Sequence, residues 1–456
     1  MTPKPPTDPA GHDLCSQQEQ ADLVDEIEDA YLEGTRPMIP GTARSAFSHA
    51  TFRTVYLGAF ASNIGTWMQN VVLGALAYNL TKSAVFVGIM TAAQLGPLLL
   101  FSVVGGMLAD AYDRKKLLMV LSVQQAAFSL LLAAVTLSGS PNKAAMVATV
   151  FCIGVGNALY APIFSAVVPV LVPRRDMPGA ISLNSVQMNA SRVIGPAIGT
   201  TIYAAFGPSW VFVVNAVSFA FVIASLSRVT LPRPPASGSQ GLHRLLEGVR
   251  VARDDRVVKQ CLVTIFVFSF LCLPFITQMP KIAGDHLGID TKSTGYGVLY
   301  ACFGLGAVIG ALSIGTVFAR SSKARVTRIG LLAFAVMLTV FGSLRAAAPA
   351  YAAILVLGCV YFAVITSLST VLQQGLEDRV RGKVMALWIM GFGGTVPFGG
   401  LAGGWAMEQV GIVPVLSFGA VVAVGLAYYA DLSPTGRHHR REPVTMAVDA
   451  VPASAD

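Results

Sequence analysis

Gly105-Gly106-Met107-Leu108-Ala109-Asp110-Ala111-Tyr112-Asp113-Arg114-Lys115-Lys116 is the stretch that decides the fold. An apolar run closes in small residues, an Asp follows, and a basic run opens the next apolar segment. A carboxylate in such a connection can cap a neighbouring helix N-terminus and pair with Arg. A pair of this kind locks one state of a moving bundle and breaks in the other. Gly106, Asp110, Arg114 and Lys115 are therefore expected to form a gating loop. The plainer alternative is a positively charged loop with an incidental Asp.

The segments on either side are long and apolar. A transmembrane helix needs about 20 mainly apolar residues, and the pattern predicts spans at 54–79, 84–109, 116–137, 145–171, 178–205, 209–230, 258–279, 294–319, 327–345, 350–373, 382–406 and 411–431. Composition agrees: the 456 residues are 54% hydrophobic and 12% charged, against about 25% charged in soluble domains. The expected fold is an all-α membrane protein with twelve transmembrane helices in two six-helix bundles, at 51–230 and 258–432. A Pro-rich, then charged cytoplasmic linker at 231–257 divides them. Residues 1–50 and 433–456 are expected to be tails.

Eighteen Lys and Arg lie in the even-numbered connections, and five in the odd-numbered ones (Lys82, Lys143, Lys281, Lys292 and Arg345). Basic loops stay on the cytoplasmic side, so both termini are expected there. The net charge of +8 then reads as a rim facing anionic lipid, with no nucleic-acid partner. The 1–50 tail has nine acidic residues and three basic ones, with no apolar signal segment. A solvated, mostly disordered tail and a docking element are its two readings. Six cysteines and six histidines show no metal-ligand spacing, so no metal or cofactor is expected.

The fifth span carries Asn189-Ala190-Ser191-Arg192-Val193-Ile194-Gly195-Pro196-Ala197-Ile198-Gly199. Pro196 removes a backbone hydrogen bond and kinks the helix; Gly195 and Gly199, four apart, make a close-packing face. Arg192 is a basic residue well inside a span, a costly position and a functional candidate. It binds an anionic substrate, pairs with a carboxylate of another helix, or reaches to the membrane edge. In the first span Asn63, Trp67 and Asn70 share one helical face. With Gln94, Asn157, Asn184 and Gln187, and with Gln278, Tyr361 and Trp388 in the second half, they are candidates for a substrate cavity. Interhelical hydrogen bonding is the competing role for each.

The quoted loop resembles the G-x-L-A-D-x-x-G-R-K motif of the major facilitator superfamily. Gly106, Leu108, Ala109, Asp110, Arg114 and Lys115 match, and Asp113 stands where the superfamily usually has Gly. At the corresponding place after the eighth span, Ala319 replaces the acidic residue. Gly195-Pro196 with Gly199 resembles the G-P-x-x-G motif of superfamily exporters, although Thr200 replaces its final Gly. Within the superfamily the chain resembles the branch of the enterobactin exporter and related transmembrane secretion effectors. That resemblance implies two bundles around a central cavity with alternating access.

These readings converge on a secondary exporter of a small organic molecule, siderophore or drug-like, in the bacterial inner or plasma membrane. It is expected to act as a monomer, with protons as the coupling ion. No Asp or Glu lies near the middle of a predicted span, so the coupling group is not legible; Asp110 and Glu408 are the nearest carboxylates. A nutrient importer on the same fold, and a non-transporting sensor or scaffold, are the alternatives. No Walker loop, HExxH or GxSxG is present, and no enzyme is expected.

Overall fold

A computed structural model describes residues 39–138, 141–231 and 249–430. Most of the expected linker, and the tails at 1–38 and 431–456, lie outside these residues. The described chain is built of helices. In order they are α1 (Ala43–Ser48), α2 (Ala50–Thr81), α3 (Ala84–Leu95), α4 (Pro97–Ala111), α5 (Arg114–Leu137), α6 (Lys143–Val167), α7 (Met177–Phe206) and α8 (Pro208–Ser227) in the first half. The second half has α9 (Arg256–Val267), α10 (Thr294–Gly315), α11 (Lys323–Ser343), α12 (Ala347–Gln374), α13 (Asp378–Ile389), α14 (Val396–Val410) and α15 (Ile412–Tyr429).

Local chemistry places the ends of these helices. Ser83, Asp113 and Asn142 accept hydrogen bonds from backbone N–H groups of the first turns of α3, α5 and α6, supplying partners for donors that a helix start leaves free. Pro97 opens α4 directly after Gly96, whose backbone stays helical, so α3 and α4 together form one span, Ala84–Ala111. Pro274 and Pro280 interrupt the seventh span, which continues past α9 through two π-helical turns, Phe268–Cys272 and Ile282–His286. It therefore runs beyond the expected limit of 279, and Lys281 sits on a helix rather than in a loop.

Nine helices among the described residues are long and apolar enough to cross a membrane. Two further long helices, α2 and α7, carry polar side chains such as Asn63, Gln69 and Asn70, or Gln187 and Arg192. The interrupted segment 256–286 is the third. Together they are consistent with twelve spans.

Gln69 of α2 is buried against its own half. Gln69 Oε1 accepts from Asn215 Nδ2 at 2.9 Å and from Ser129 Oγ at 3.1 Å, which ties α2, α8 and α5 together. A polar group inside apolar surroundings costs less when such partners meet it. The two halves meet along α3 with α14 and along α7 with α10. Gly88 makes the first approach possible, since a Cβ there would lie 2.7 Å from Leu401 Cα.

The structure differs from the expected disordered tail at residues 39–50. α1 packs on the start of α7. Asp176, with no exposed surface, accepts from the Gly41 N–H at 2.9 Å, the Ser45 hydroxyl at 2.7 Å and His49 Nε2 at 2.7 Å. The acidic character of residues 1–38 hides this docked segment when the first 50 residues are averaged.

Candidate functional site

A cavity of about 270 Å³ lies between the two halves. Its wall takes Trp67 and Asn70 from α2, Thr91 and Gln94 from α3, Arg192 from α7, Tyr300 and Phe303 from α10, Tyr361 and Phe362 from α12, and Phe392 from the π-turn after α13. Gln94 Nε2 donates to Asn70 Oδ1, so these two candidates form one polar patch.

Arg192 is the charged residue among those lining the cavity. It lies near the centre of α7, which has 30 residues and is about 45 Å long at 1.5 Å per residue. Either end of the helix is therefore about 20 Å away by the same rise. The guanidinium carbon sits 5.0 Å from the Trp67 ring centroid and 4.8 Å from that of Phe362. Both are cation–π distances, and the rings belong to opposite halves. Asn189 Oδ1 accepts from a terminal guanidinium N–H at 3.3 Å. Among the described residues Arg192 meets no carboxylate. Arg192 thus lines the cavity and meets aromatic rings of both halves.

Gly195 and Gly199 set the depth of this site. A Cβ on Gly195 would lie 2.5 Å from Trp67 Cβ, and one on Gly199 would lie 2.9 Å from Met68 Cα. The two glycines thus let α7 press on α2 beside the stacked Trp67 and Arg192. Pro196, next to Gly195, is also buried, and its carbonyl accepts from the Thr200 hydroxyl at 2.9 Å.

The other candidates fall elsewhere. Asn63, Asn157 and Asn184 are half-buried and Gln187 is buried; none is among the lining residues. Both polar atoms of Gln187 lack a partner among the described residues. Trp388 is buried in the second half. Gln278 is buried at one end of the interface, donating to the Ala84 carbonyl at 3.0 Å and the Gly400 carbonyl at 2.8 Å.

That end is held by a set of bonds between the halves. Glu408 Oε1 accepts from the Ser83 hydroxyl at 2.6 Å and from the Val85 N–H at 3.1 Å. The Tyr78 hydroxyl donates to Asp285, which also pairs with Lys281 at 2.9 Å. Thr291 donates to Asn79 at 3.0 Å. Sequence reasoning saw Glu408 as an edge residue and passed over Tyr78 and Asp285. No local pattern pairs residues more than 200 positions apart.

The opposite end carries Gly106, Asp110, Arg114 and Lys115, the residues expected to gate. Arg114 donates to the Ala109 carbonyl at 2.9 Å and the Ala166 carbonyl at 3.1 Å, and Lys115 to the Val229 carbonyl at 2.7 Å. Both cations thus hold carbonyls at the ends of neighbouring helices of the first half, where the helix dipole favours positive charge. Asp113 is the residue that caps α5, through the Lys116 N–H at 3.2 Å. The half-buried Asp110 occupies the last turn of α4. Gly106 has open space on its Cβ side.

The family model for transmembrane secretion effectors matches residues 41–442. The chain belongs to this family of major facilitator transporters. Among curated proteins it is similar to the enterobactin exporter EntS of Shigella boydii serotype 4 (strain Sb227) and of Escherichia coli (strain SE11). Identity to each is 26% over 426 residues, covering 88% of this chain and 97% of the exporter. Among solved structures it resembles a mutant of the nucleoside transporter NupG, with TM-score 0.69 and 14% identity over 83% of this chain and 98% of that one. It also resembles the xylose transporter XylE from E. coli in an inward-open conformation, with TM-score 0.65 and 13% identity over 85% and 98%. This secretion effector is accordingly a multi-pass membrane transporter, not an enzyme.

Proposed function

We propose that this secretion effector exports a small organic molecule, siderophore or drug-like, across the bacterial inner membrane by alternating access. The observation that carries the reading is the cavity between the halves, bonded shut at the Glu408 and Asp285 end. With both termini cytoplasmic, as the loop charges predict, the sealed end faces outward and the cavity loads from the cytoplasm. The similarity to a siderophore exporter supports the direction. Release then requires the outer bonds to break, and protons entering from outside meet Glu408 and Asp285 first. Those two carboxylates are the groups through which protons would drive the cycle, and Asp110 with the basic loop would hold the inner end in the alternate state. The protein acts as a monomer in this scheme.

Inverted vesicles containing the protein test the direction. Accumulation of a labelled cargo in response to an acidic lumen, abolished by a protonophore, is the expected result. Uptake only in right-side-out vesicles would establish the importer instead.

A further inference from the structure

The lining of the cavity specifies more than its location. Its charge is one guanidinium, and its wall is aromatic: Trp67, Tyr300, Phe303, Tyr361 and Phe362 all contribute. Arg carries five N–H donors and no acceptor. Arg192 spends one on Asn189, and its guanidinium carbon lies over the rings of Trp67 and Phe362. Ring contacts use none of the N–H donors, so the other four have no partner among the described residues, and such donors bind a carboxylate in two parallel hydrogen bonds. A cation at this depth is retained at a cost that ring contacts offset only in part. An arriving anion supplies the missing charge.

We propose that the substrates of this cavity are small aromatic acids, with Arg192 as the anion-recognition residue and the aromatic wall as the seat for the ring. This assignment rests on the exporter reading and names its cargo class. A cationic drug finds no carboxylate among the described lining residues, and a neutral one leaves the guanidinium edge unmet. Trp67 and Phe362 come from opposite halves, so the anion site is complete only while the halves meet across Arg192.

Calorimetric binding to the full-length protein in lipid nanodiscs tests this with three probes of one shape: 1-naphthoate, 1-naphthalenecarboxamide and 1-naphthylmethylammonium. Naphthoate is expected to bind at least ten-fold more tightly than the other two. Arg192→Gln should bring the acid and the amide within two-fold of each other, and Arg192→Lys should keep part of the preference. Equal affinity for all three in the native protein, no binding of naphthoate, or an acid preference that survives Arg192→Gln would each overturn the proposal. Should Arg192→Gln not fold, the partial loss in Arg192→Lys and the native ranking decide it. Because the measurement has no direction, binding of the acid without its export would sink the exporter reading alone. Export of neutral or cationic cargo only would sink this one.

Discussion

Glu408, near the end of α14 in the second half, accepts the hydroxyl hydrogen of Ser83, the N-cap of α3 in the first half, at 2.6 Å. The same carboxylate oxygen takes the Val85 N–H. A helix start is thus capped twice, once by its own Ser and once by a carboxylate from the other side of the interface. The cap requires the halves to be together at that end.

Glu408→Gln removes the charge while keeping the shape. The group is exposed, so its charge is worth up to about 1 kcal/mol and the population of the state open at that end should rise by up to about five-fold. Spin-label distances between Thr81 and Gln409 report the change. An unaltered distance distribution would show that the bond does not hold the end shut.

Gly88→Ala places a methyl 2.7 Å from Leu401 Cα, a backbone atom that cannot step aside. Transport should fall at least ten-fold with normal membrane insertion. Gly106→Ala is the packing control: nothing lies within 4 Å of its added methyl, and Ala in place of a Gly inside a helix should keep or raise the melting temperature.

The Asp176 clasp has a pH sign that can be worked out. Burial pushes its carboxyl up, but hydrogen bonds from His49, the Gly41 N–H and Ser45, with the charge of His49, outweigh that and hold it below the usual range. A carboxyl lowered on docking stabilises the docked state fully above its ordinary value near 4 and loses that contribution as pH falls through the lower value. Hydrogen-exchange protection factors of residues 41–49, corrected for the intrinsic rate at each pH, should therefore be high at pH 7 and fall only in strong acid. Asp176→Ala leaves three donors unmet and should loosen the segment by about 3 kcal/mol at neutral pH. Exchange rates identical to the native protein would refute the clasp.

Asp113→Gly restores the superfamily's usual residue and deletes the cap of α5. Gly is itself a tolerated N-cap, so the expected cost is about 0.3 kcal/mol, seen as a fall of about a degree in melting temperature. A melting temperature at or above that of the native protein would mean that the cap is not stabilising.

Much of the architecture was legible because lipid imposes a length and a polarity on every span. Trp67, Asn70, Gln94, Arg192 and Tyr361 were legible for the related reason that polar or amphipathic groups in a span must face protein or a cavity. Phe303, Phe362 and Phe392 were not, because an aromatic ring on an apolar helix looks the same whether it faces lipid or substrate. Asp176 was missed because its partners lie more than 120 residues upstream. Asp113 was noticed only as a departure from a motif, yet its position just before a basic helix start carries the capping signal of any soluble helix. The break in the seventh span was hinted at by Pro274 and Pro280, but the reach of that segment to His286 depends on π-turns that no periodicity announces.

Because residues 41–49 are fixed to the first turn of the helix that carries Arg192, anything fused just upstream of Gly41 rides with that helix. A fluorophore there, paired with a second one on the other half, converts cavity occupancy into an optical signal without altering a residue of the cavity. The amino terminus is in this sense a readout port, through which the transporter can be turned into a sensor of its own cargo in living cells.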